Sequence, residues 1–264
     1  MGQTENMDDK ISRAAEIIKI SRHTIVFTGA GISVESGIPP FRGQGGIWGK
    51  YDPNLFEIGY FSKHPEKSWA IIKEIFFDTF PKVEPNNAHK CIAELERRGI
   101  VKTVITQNID GLHQKAGNRK VQEFHGSSRT ISCTVCKFPF QKETVSLDTL
   151  PPRCPRCMGL LKPDFVFFGE PIPGEVSMES FHQAQLSDVC IVIGSTGEVM
   201  PACQVPFHAK EHGASVIEIN VEPSNFTYGT ADIFLQGKAG EIMPKIMEKI
   251  GPTKLKKSTD HIQE

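Results

Sequence analysis

The chain has 264 residues, enough for one large domain or for a domain carrying a smaller insertion. Hydrophobic residues make up 39% and charged residues 23%, which excludes a disordered chain, and a formal net charge of −1 supplies no whole-molecule attraction for nucleic acid or an acidic membrane. Seven cysteines, an odd number, argue against a secreted disulfide framework, and no apolar run reaches the roughly 20 residues that span a bilayer. Met1 to Lys10 is polar and acidic, without the basic-then-apolar pattern of a signal peptide, so the expectation is a soluble, cytoplasmic protein.

Strands and helices alternate at both ends of the sequence. Apolar residues at Ile11, Ala14, Ala15 and Ile18 predict an amphipathic helix over 8–20. A short buried strand follows over 23–28 and ends in Gly29-Ala30-Gly31. Ala88, Cys91, Ile92 and Leu95 repeat the helical spacing over 86–98 before Gly99, and 101–106 is the next strand. Further strands are predicted over 189–193, 215–219 and 233–235, with helices over 201–212 and 240–250. Near-continuous apolar strands separated by helices predict an α/β fold, a doubly wound parallel sheet covered on both faces.

Two stretches break that rhythm. Residues 41–85, rich in Gly, Pro and aromatics, carry a helical pattern at Trp69–Phe77, and residues 127–162 hold four cysteines. Both are expected as insertions that form a smaller module, leaving 1–40, 86–126 and 163–250 as one discontinuous core domain and 251–264 as a polar tail. The cysteines, Cys133, Cys136, Cys154 and Cys157, read C-x2-C-x17-C-x2-C, the spacing of a structural zinc site with four thiolate ligands. Two disulfides are the alternative. Cys91, Cys190 and Cys203 lie in apolar stretches and are expected as small core residues.

Four groups of polar residues sit where strands end. The run from Thr28 to Gly37 places glycines where a backbone could approach a pyrophosphate, but Val34 stands where the third glycine of a dinucleotide fingerprint belongs. A tight strand-to-helix turn accounts for these residues equally well. The loop after it carries Phe41 and Arg42 among glycines and prolines and is expected either as a lid or as a plain surface loop. Gln107, Asn108 and Asp110 directly follow a strand, where open parallel sheets bind ligands, although an Asx-type cap would also use them. His125 lies at the junction of core and cysteine module, where a cleft would open, and its near-neutral pKa class suits a general base. His113 is expected as a structural histidine. Gly194–Gly197 and Asn220–Glu222 follow later strands and are placed for the second half of a dinucleotide.

Together these motifs resemble the sirtuin family of NAD-dependent protein deacylases. The resemblance is carried by GAGISVESGIPPFRG (29–43), TQNIDGLHQKAG (106–117), FHG (124–126), the four cysteines, KPDFVFFGE (162–170), GSTGEVMPA (194–202) and INVEPS (219–224), in family order over nearly the whole chain. It implies a Rossmann-type domain with a smaller inserted zinc and helical module, NAD as co-substrate and one structural zinc. Ala30, Ser33, Ile38, Asn108, Ile109 and Asp110 would hold nicotinamide, Phe41 would pack on its ring and Arg42 would reach the phosphates. Gln107 and His125 would bond the nearer ribose, while Gly194, Ser195, Asn220 and Glu222 would serve the adenosine half. Gly29, Gly31, Thr196, Val221 and Ala239 complete the implied cofactor contacts. Acyl-lysine peptides or proteins would add as a strand along Val166, Gly169, Glu170 and Gly197, Glu198 and Val199, with the acyl-lysine passing Phe168 and Val199.

The implied reaction is deacylation. The acyl oxygen attacks C1′ of the ribose as nicotinamide leaves, and His125, with Asn108 beside it as the second catalytic residue, activates a ribose hydroxyl. Nicotinamide, free lysine and O-acyl-ADP-ribose result. Protein mono-ADP-ribosyl transfer is the alternative, and a zinc-ribbon nucleic-acid binder is disfavoured by the charge. Pro40, Lys162 and Gly197 depart from common residues of the family, and 68–73 lacks the Tyr-x-x-Arg of relatives that remove acidic acyl groups. Neutral acyl groups such as acetyl are therefore expected. Neither direct nucleic-acid binding nor membrane binding is expected, and a monomer is favoured.

Overall fold

The computed structural model describes residues 5–43, 45–79 and 82–252. Helix α1 (Met7–Ile20) buries Ile11, Ala14, Ala15 and Ile18, the stripe that its spacing predicts, and Asn6 caps its N-terminus through the N–H of Asp9. It leads to β1 (Thr24–Thr28), whose five residues are all buried. Next comes not an α-helix but a 3-10 helix over Ala30–Ser36. The insert that follows holds α2 (Ile47–Lys50), α3 (Ile58–Lys63) and α4 (Pro65–Ile72), the last running into a π-helical stretch over Lys73–Thr79. Helix α5 (Asn87–Arg97) is capped by Asn86, which accepts from Ala88 N and His89 N.

The chain then runs through β2 (Val101–Thr106), α6 (Leu112–Ala116) and β3 (Val121–Glu123). The cysteine segment contributes β4 (Gly126–Cys133), β5 (Pro139–Gln141) and β6 (Leu161–Phe165), a small antiparallel sheet in the order β5-β4-β6. Last come α7 (Gly174–Leu186), β7 (Val189–Ile193), α8 (Gln204–Glu211), β8 (Ser215–Asn220), β9 (Ile233–Gln236) and α9 (Ala239–Ile250). The predicted helix over 201–212 therefore starts later, after a turn over Met200–Cys203.

The main sheet has the order β3-β2-β1-β7-β8-β9 with every neighbour parallel. This is the doubly wound Rossmann order, and its direction reverses between β1 and β7. One face is covered by α1, α5 and α9 through Ile18, Ile92, Leu95, Met243 and Ile246. The other packs on residues from α7 and α8, including Ala184, Val205 and Ala209. The two insertions share a third core, in which Phe56, Phe61, Trp69 and Phe76 from the first meet Ile131 and Leu161 from the second and Phe165 just beyond it at the end of β6. Trp69 Nε1 donates to the Leu161 carbonyl at 2.9 Å, so even the polar edge of that indole is satisfied across the two segments.

Helix α7 was not legible from periodicity. Its buried residues are Ser180 and Ala184, so no apolar stripe marks it. The strands of the small sheet were hidden for a different reason: metal-ligand spacing and turns, rather than alternation, dominate residues 127–162.

Behind α5 and α6, His89 and His113 stack with ring centroids 4.9 Å apart, and both are shielded from solvent. Burial lowers His89 to about 3 and His113 to about 4, so both are neutral at physiological pH. An unfolded chain would protonate them near 6.5, so the unfolded state binds more protons between these values, and stability must fall as pH drops from 6.5 toward 4. Replacing His89 with Phe should flatten that fall in urea-unfolding free energy by up to about 1.4 kcal/mol per pH unit. An unchanged pH slope would show that His89 is not buried neutral.

Candidate active site and metal centre

The carboxyl ends of β1, β2, β7 and β8 converge on one cleft. At its centre two backbone turns touch: Gly31 N donates to Gly194 O at 2.9 Å and Gly29 N to Ile193 O at 3.0 Å. A Cβ at Gly29 would lie 2.7 Å from Gly194 O, and one at Gly31 would lie 2.6 Å from Gly194 Cα. The glycines are thus required by the approach of one loop to another, the tight turn that the sequence left open beside a pyrophosphate contact. Val34 is 44% exposed, so the 3-10 turn needs no third glycine there.

Along the β2 end, the polar residues form one connected set. Asn108 Nδ2 donates to Gly29 O at 3.1 Å and to Ser33 Oγ at 3.2 Å, and Ser33 Oγ donates to Asp110 Oδ2 at 2.7 Å. Burial raises the Asp110 pKa, with the N–H of Leu112 (2.9 Å) and the Ser33 hydroxyl working against the rise. Ile38 and Ile109 are buried beside this set. Here the structure brings together residues that the sequence placed almost eighty positions apart.

Gln107 Nε2 donates to Ser195 Oγ at 2.9 Å, joining the β2 and β7 ends. Asn220 Nδ2 donates to Ser195 O at 3.1 Å, and its Oδ1 accepts from Val221 N at 3.0 Å. Both polar ends of Asn220 are therefore engaged within the protein. Thr196, Val221 and Glu222 stand exposed at the rim. Ala239 opens α9 and is buried, and the adjacent Gly240 N–H is held by Glu35 Oε2 at 2.7 Å rather than left for a phosphate. Sequence reasoning passed over Glu35; an acidic residue within the 29–37 turn was its only signal.

His125 precedes β4 and is held on two sides. Phe124 N donates to Thr106 O at 2.8 Å, and His125 O accepts from Val166 N at 2.8 Å. His125 Nδ1 lies 3.0 Å from Gln107 O. A carbonyl only accepts, so Nδ1 carries the proton and Nε2 keeps its lone pair. Burial lowers the His125 pKa against the opposing pull of that carbonyl, which favours the neutral, basic form.

Opposite lies the segment expected to take a peptide. The N–H groups of Val166 and Phe168 are occupied by His125 O and Phe56 O, and Phe167 N donates to Glu170 Oε2. Val166 C=O, Gly169 N–H and the main-chain N–H and C=O of Glu198 bear no bond to described residues. Gly197 C=O accepts from Asn225 Nδ2, Val199 C=O accepts from Cys203 N, and Phe168 is 45% exposed. Arg42 reaches Glu198 at 3.9 Å across the mouth. Trp48, which sequence reasoning did not single out, bridges Phe41 (5.3 Å) and Phe168 (6.0 Å), linking loop to wall.

The Sir2 family model matches residues 29–201, more than half of the chain. The chain belongs to the Sir2 family. It is 46% identical over 240 residues to NAD-dependent protein deacylase 2 of Pyrobaculum aerophilum, covering 89% of this chain and 94% of that protein. Among solved structures, a Sir2 homologue–NAD complex is 39% identical with a TM-score of 0.85, covering 95% and 96% of the two chains. A Sir2 H116A variant with deacetylated p53 peptide and 3′-O-acetyl ADP ribose is 35% identical with a TM-score of 0.86, covering 90% and 98%.

At the far end of this Sir2 fold, the four cysteine sulfurs lie within 4.8 Å of one another. Cys133 Sγ and Cys157 Sγ are 3.5 Å apart, and Cys136 Sγ and Cys154 Sγ are 3.8 Å apart. A disulfide requires about 2.05 Å, whereas the edge of a tetrahedron with Zn–S bonds of about 2.3 Å is about 3.8 Å. Burial pushes the Cys133 thiol up, but the N–H groups of Cys136 and Val135, with the neighbouring Cys157 and Cys136 thiols, bring it down to about 6. Against the N–H of Gly159, the Cys133 thiol, burial and the Cys136 and Cys154 thiols push Cys157 up to about 11. The donor set fits zinc. Purified protein should hold about one zinc per chain, and Cys154→Ser should lose the metal and lower the thermal midpoint. Full zinc content in that variant would exclude the assignment.

Proposed function

We propose that the protein is an NAD-dependent protein-lysine deacylase that acts on neutral acyl groups, acetyl above all. The single observation that carries this reading is the state of His125. Gln107 O fixes its Nδ1–H tautomer, burial keeps it neutral, and Nε2 remains as a base at the junction of the two modules. The family relationship supplies the reaction class, and Sir2 relatives are named NAD-dependent deacylases.

NAD bound in the cleft supplies an electrophilic C1′ carbon, together with the ribose hydroxyls. The chain's own residues do the rest. Asn108, Ser33 and Asp110 form a buried donor and acceptor set suited to a carboxamide, and Ile38 and Ile109 exclude water from it. Phe41, backed by Trp48, is placed to cover the nicotinamide side, and Arg42 is placed to exchange Glu198 for phosphate. Gln107 and Ser195, already paired, orient a ribose toward His125. His125 Nε2 accepts the hydroxyl proton, so that oxygen can attack the acyl carbon once the acyl group is on C1′. General base assistance of this kind is worth about 10²–10⁴-fold.

The peptide lies as an added strand against Val166 C=O, Gly169 N–H and the unpaired main chain of Glu198. Ser68 and Trp69 are buried in the module core, so that helix presents no cation to an acidic acyl group from these positions. Four thiolates must stay reduced to hold zinc, which fits a reducing cytoplasm. We place the chain there as a monomer.

His125→Ala should lower the release of free lysine peptide and O-acyl-ADP-ribose by about 10²–10⁴-fold while NAD affinity changes little. Because the base must be neutral, kcat/KM should fall as pH drops through a midpoint below 6.5, the ordinary histidine value from which burial lowers it. Turnover retained in the alanine variant would end the assignment of His125. Nicotinamide release without acyl peptide, with ADP-ribose left on protein, would instead favour mono-ADP-ribosyl transfer.

A further inference from the structure

Beneath the turn at Gln107–Asp110 runs a column of buried polar side chains that the proposed chemistry does not use. Thr28 and Thr106 are cross-strand partners at the ends of β1 and β2, are 0% and 2% exposed, and have their hydroxyls 2.8 Å apart. Thr106 Oγ1 accepts the main-chain N–H of Asn108 at 3.1 Å. His113 Nε2 lies 3.0 Å from Thr28 Oγ1. On the other side of the ring stands the Asn118 side chain, whose Nδ2 donates to Glu96 Oε2 at 2.6 Å. His113 Nδ1 and Asn118 Oδ1 are both shut off from solvent and have no partner elsewhere.

Hydroxyl protons rotate to suit their surroundings and a hydroxyl oxygen can accept twice, so the order of donors is set by the histidine end of the column. If Asn108 N–H donates to Thr106, Thr106 to Thr28, and Thr28 to His113 Nε2, the ring proton must sit on Nδ1. There it faces the Asn118 side chain, and one hydrogen bond to Oδ1 would satisfy both orphaned atoms. The reverse order puts the proton on Nε2 and sets two acceptors, Nδ1 and Oδ1, against each other.

We propose that His113, as the Nδ1–H tautomer, is a positioning residue: through Thr28 and Thr106 it fixes the main chain at Asn108, and with it the Asn108–Ser33–Asp110 set. His113 touches no reacting atom. Its effect is indirect, since Asn108 Nδ2 ties Gly29 O and Ser33 Oγ together and Ser33 holds Asp110. The inference rests on the deacylase reading for its consequence in catalysis, while the column itself stands on the contacts of Thr28, Thr106 and His113.

Two-bond proton–nitrogen correlation spectra of histidine-labelled protein near pH 7 identify which ring nitrogen of His113 is protonated. Nδ1–H is expected, and Nε2–H would overturn the proposal. In parallel, His113→Phe keeps the ring but removes the bonds, whereas His113→Gln restores a donor and an acceptor. The Phe variant should lose at least about tenfold in kcat for nicotinamide release, with peptide KM within about twofold, and the Gln variant should stay within about threefold of the parent. Wild-type kcat in the Phe variant, or equal impairment of both, would overturn the positioning role. Should His113→Phe fail to fold, Thr28→Val breaks the same column and carries the same expectations. A parent protein that releases no nicotinamide with acetylated peptide would refute the deacylase reading instead, and the spectrum would still decide the column.

Discussion

The site hangs from a contact between two stretches of backbone. Where β1 and β7 end, Gly29 and Gly31 lie so close to Gly194 that no side chain fits between them. Gly194 in turn donates to Ile219 O at 3.1 Å, and Gln107 N donates to Thr28 O at 2.9 Å, so four strand ends are locked to one another through main-chain bonds. Such bonds are insensitive to the identity of the side chains above them. The doubly wound sheet opens a crevice at the switch point, and this contact sets how wide that crevice is.

With the strand ends fixed, the polar side chains above them are largely spent on one another. Gln107 and Asn220 both hold Ser195, Asn108 holds Gly29 and Ser33, and Glu35 holds the first turn of α9. This is the physical content of preorganisation: a donor already held at its working position has little conformational entropy left to lose when a ligand arrives. The mouth is looser. Arg42 and Glu198 are about half exposed and 3.9 Å apart, a pair of the kind worth at most about 1 kcal/mol. The rigid half suits bond-making chemistry and the loose half suits entry.

Much of this was legible in the sequence where residue type and local position suffice. The central strands are continuous apolar runs, the helical stripe of α1 is plain in Ile11, Ala14, Ala15 and Ile18, and the two cysteine pairs carry the spacing of a metal site. Legibility failed where burial is decided by a distant partner. Helix α7 packs through Ser180 and Ala184, which carry no stripe, and Trp48 gains its role only because Phe41 and Phe168 arrive on either side of it. Gly29 and Gly31 stay ambiguous in the sequence, which cannot distinguish a glycine that admits a ligand from one that admits another loop. His113 reads as merely structural in the sequence, since nothing local announces that its Nε2 reaches Thr28 across 85 positions.

The metal centre belongs to the same logic of fixing ends. Strand β4 ends at Cys133 and starts beside His125; its antiparallel partner β6 starts soon after Cys157 and ends beside Val166. One end of this strand pair is gathered by four thiolates. At the other end, Val166 N donates to His125 O, closing the pair at the histidine. A ribbon only two or three strands wide is marginal on its own, and this one has its far end tied by metal and its flank packed against Trp69 and Phe76. Zinc with four protein sulfurs keeps no open position for water, so its influence on the reaction passes through β4 and β6 as geometry. The ion is scaffold for a histidine several residues away along the strand, and Ser128 between them ties that strand to Ile109 O at 2.6 Å.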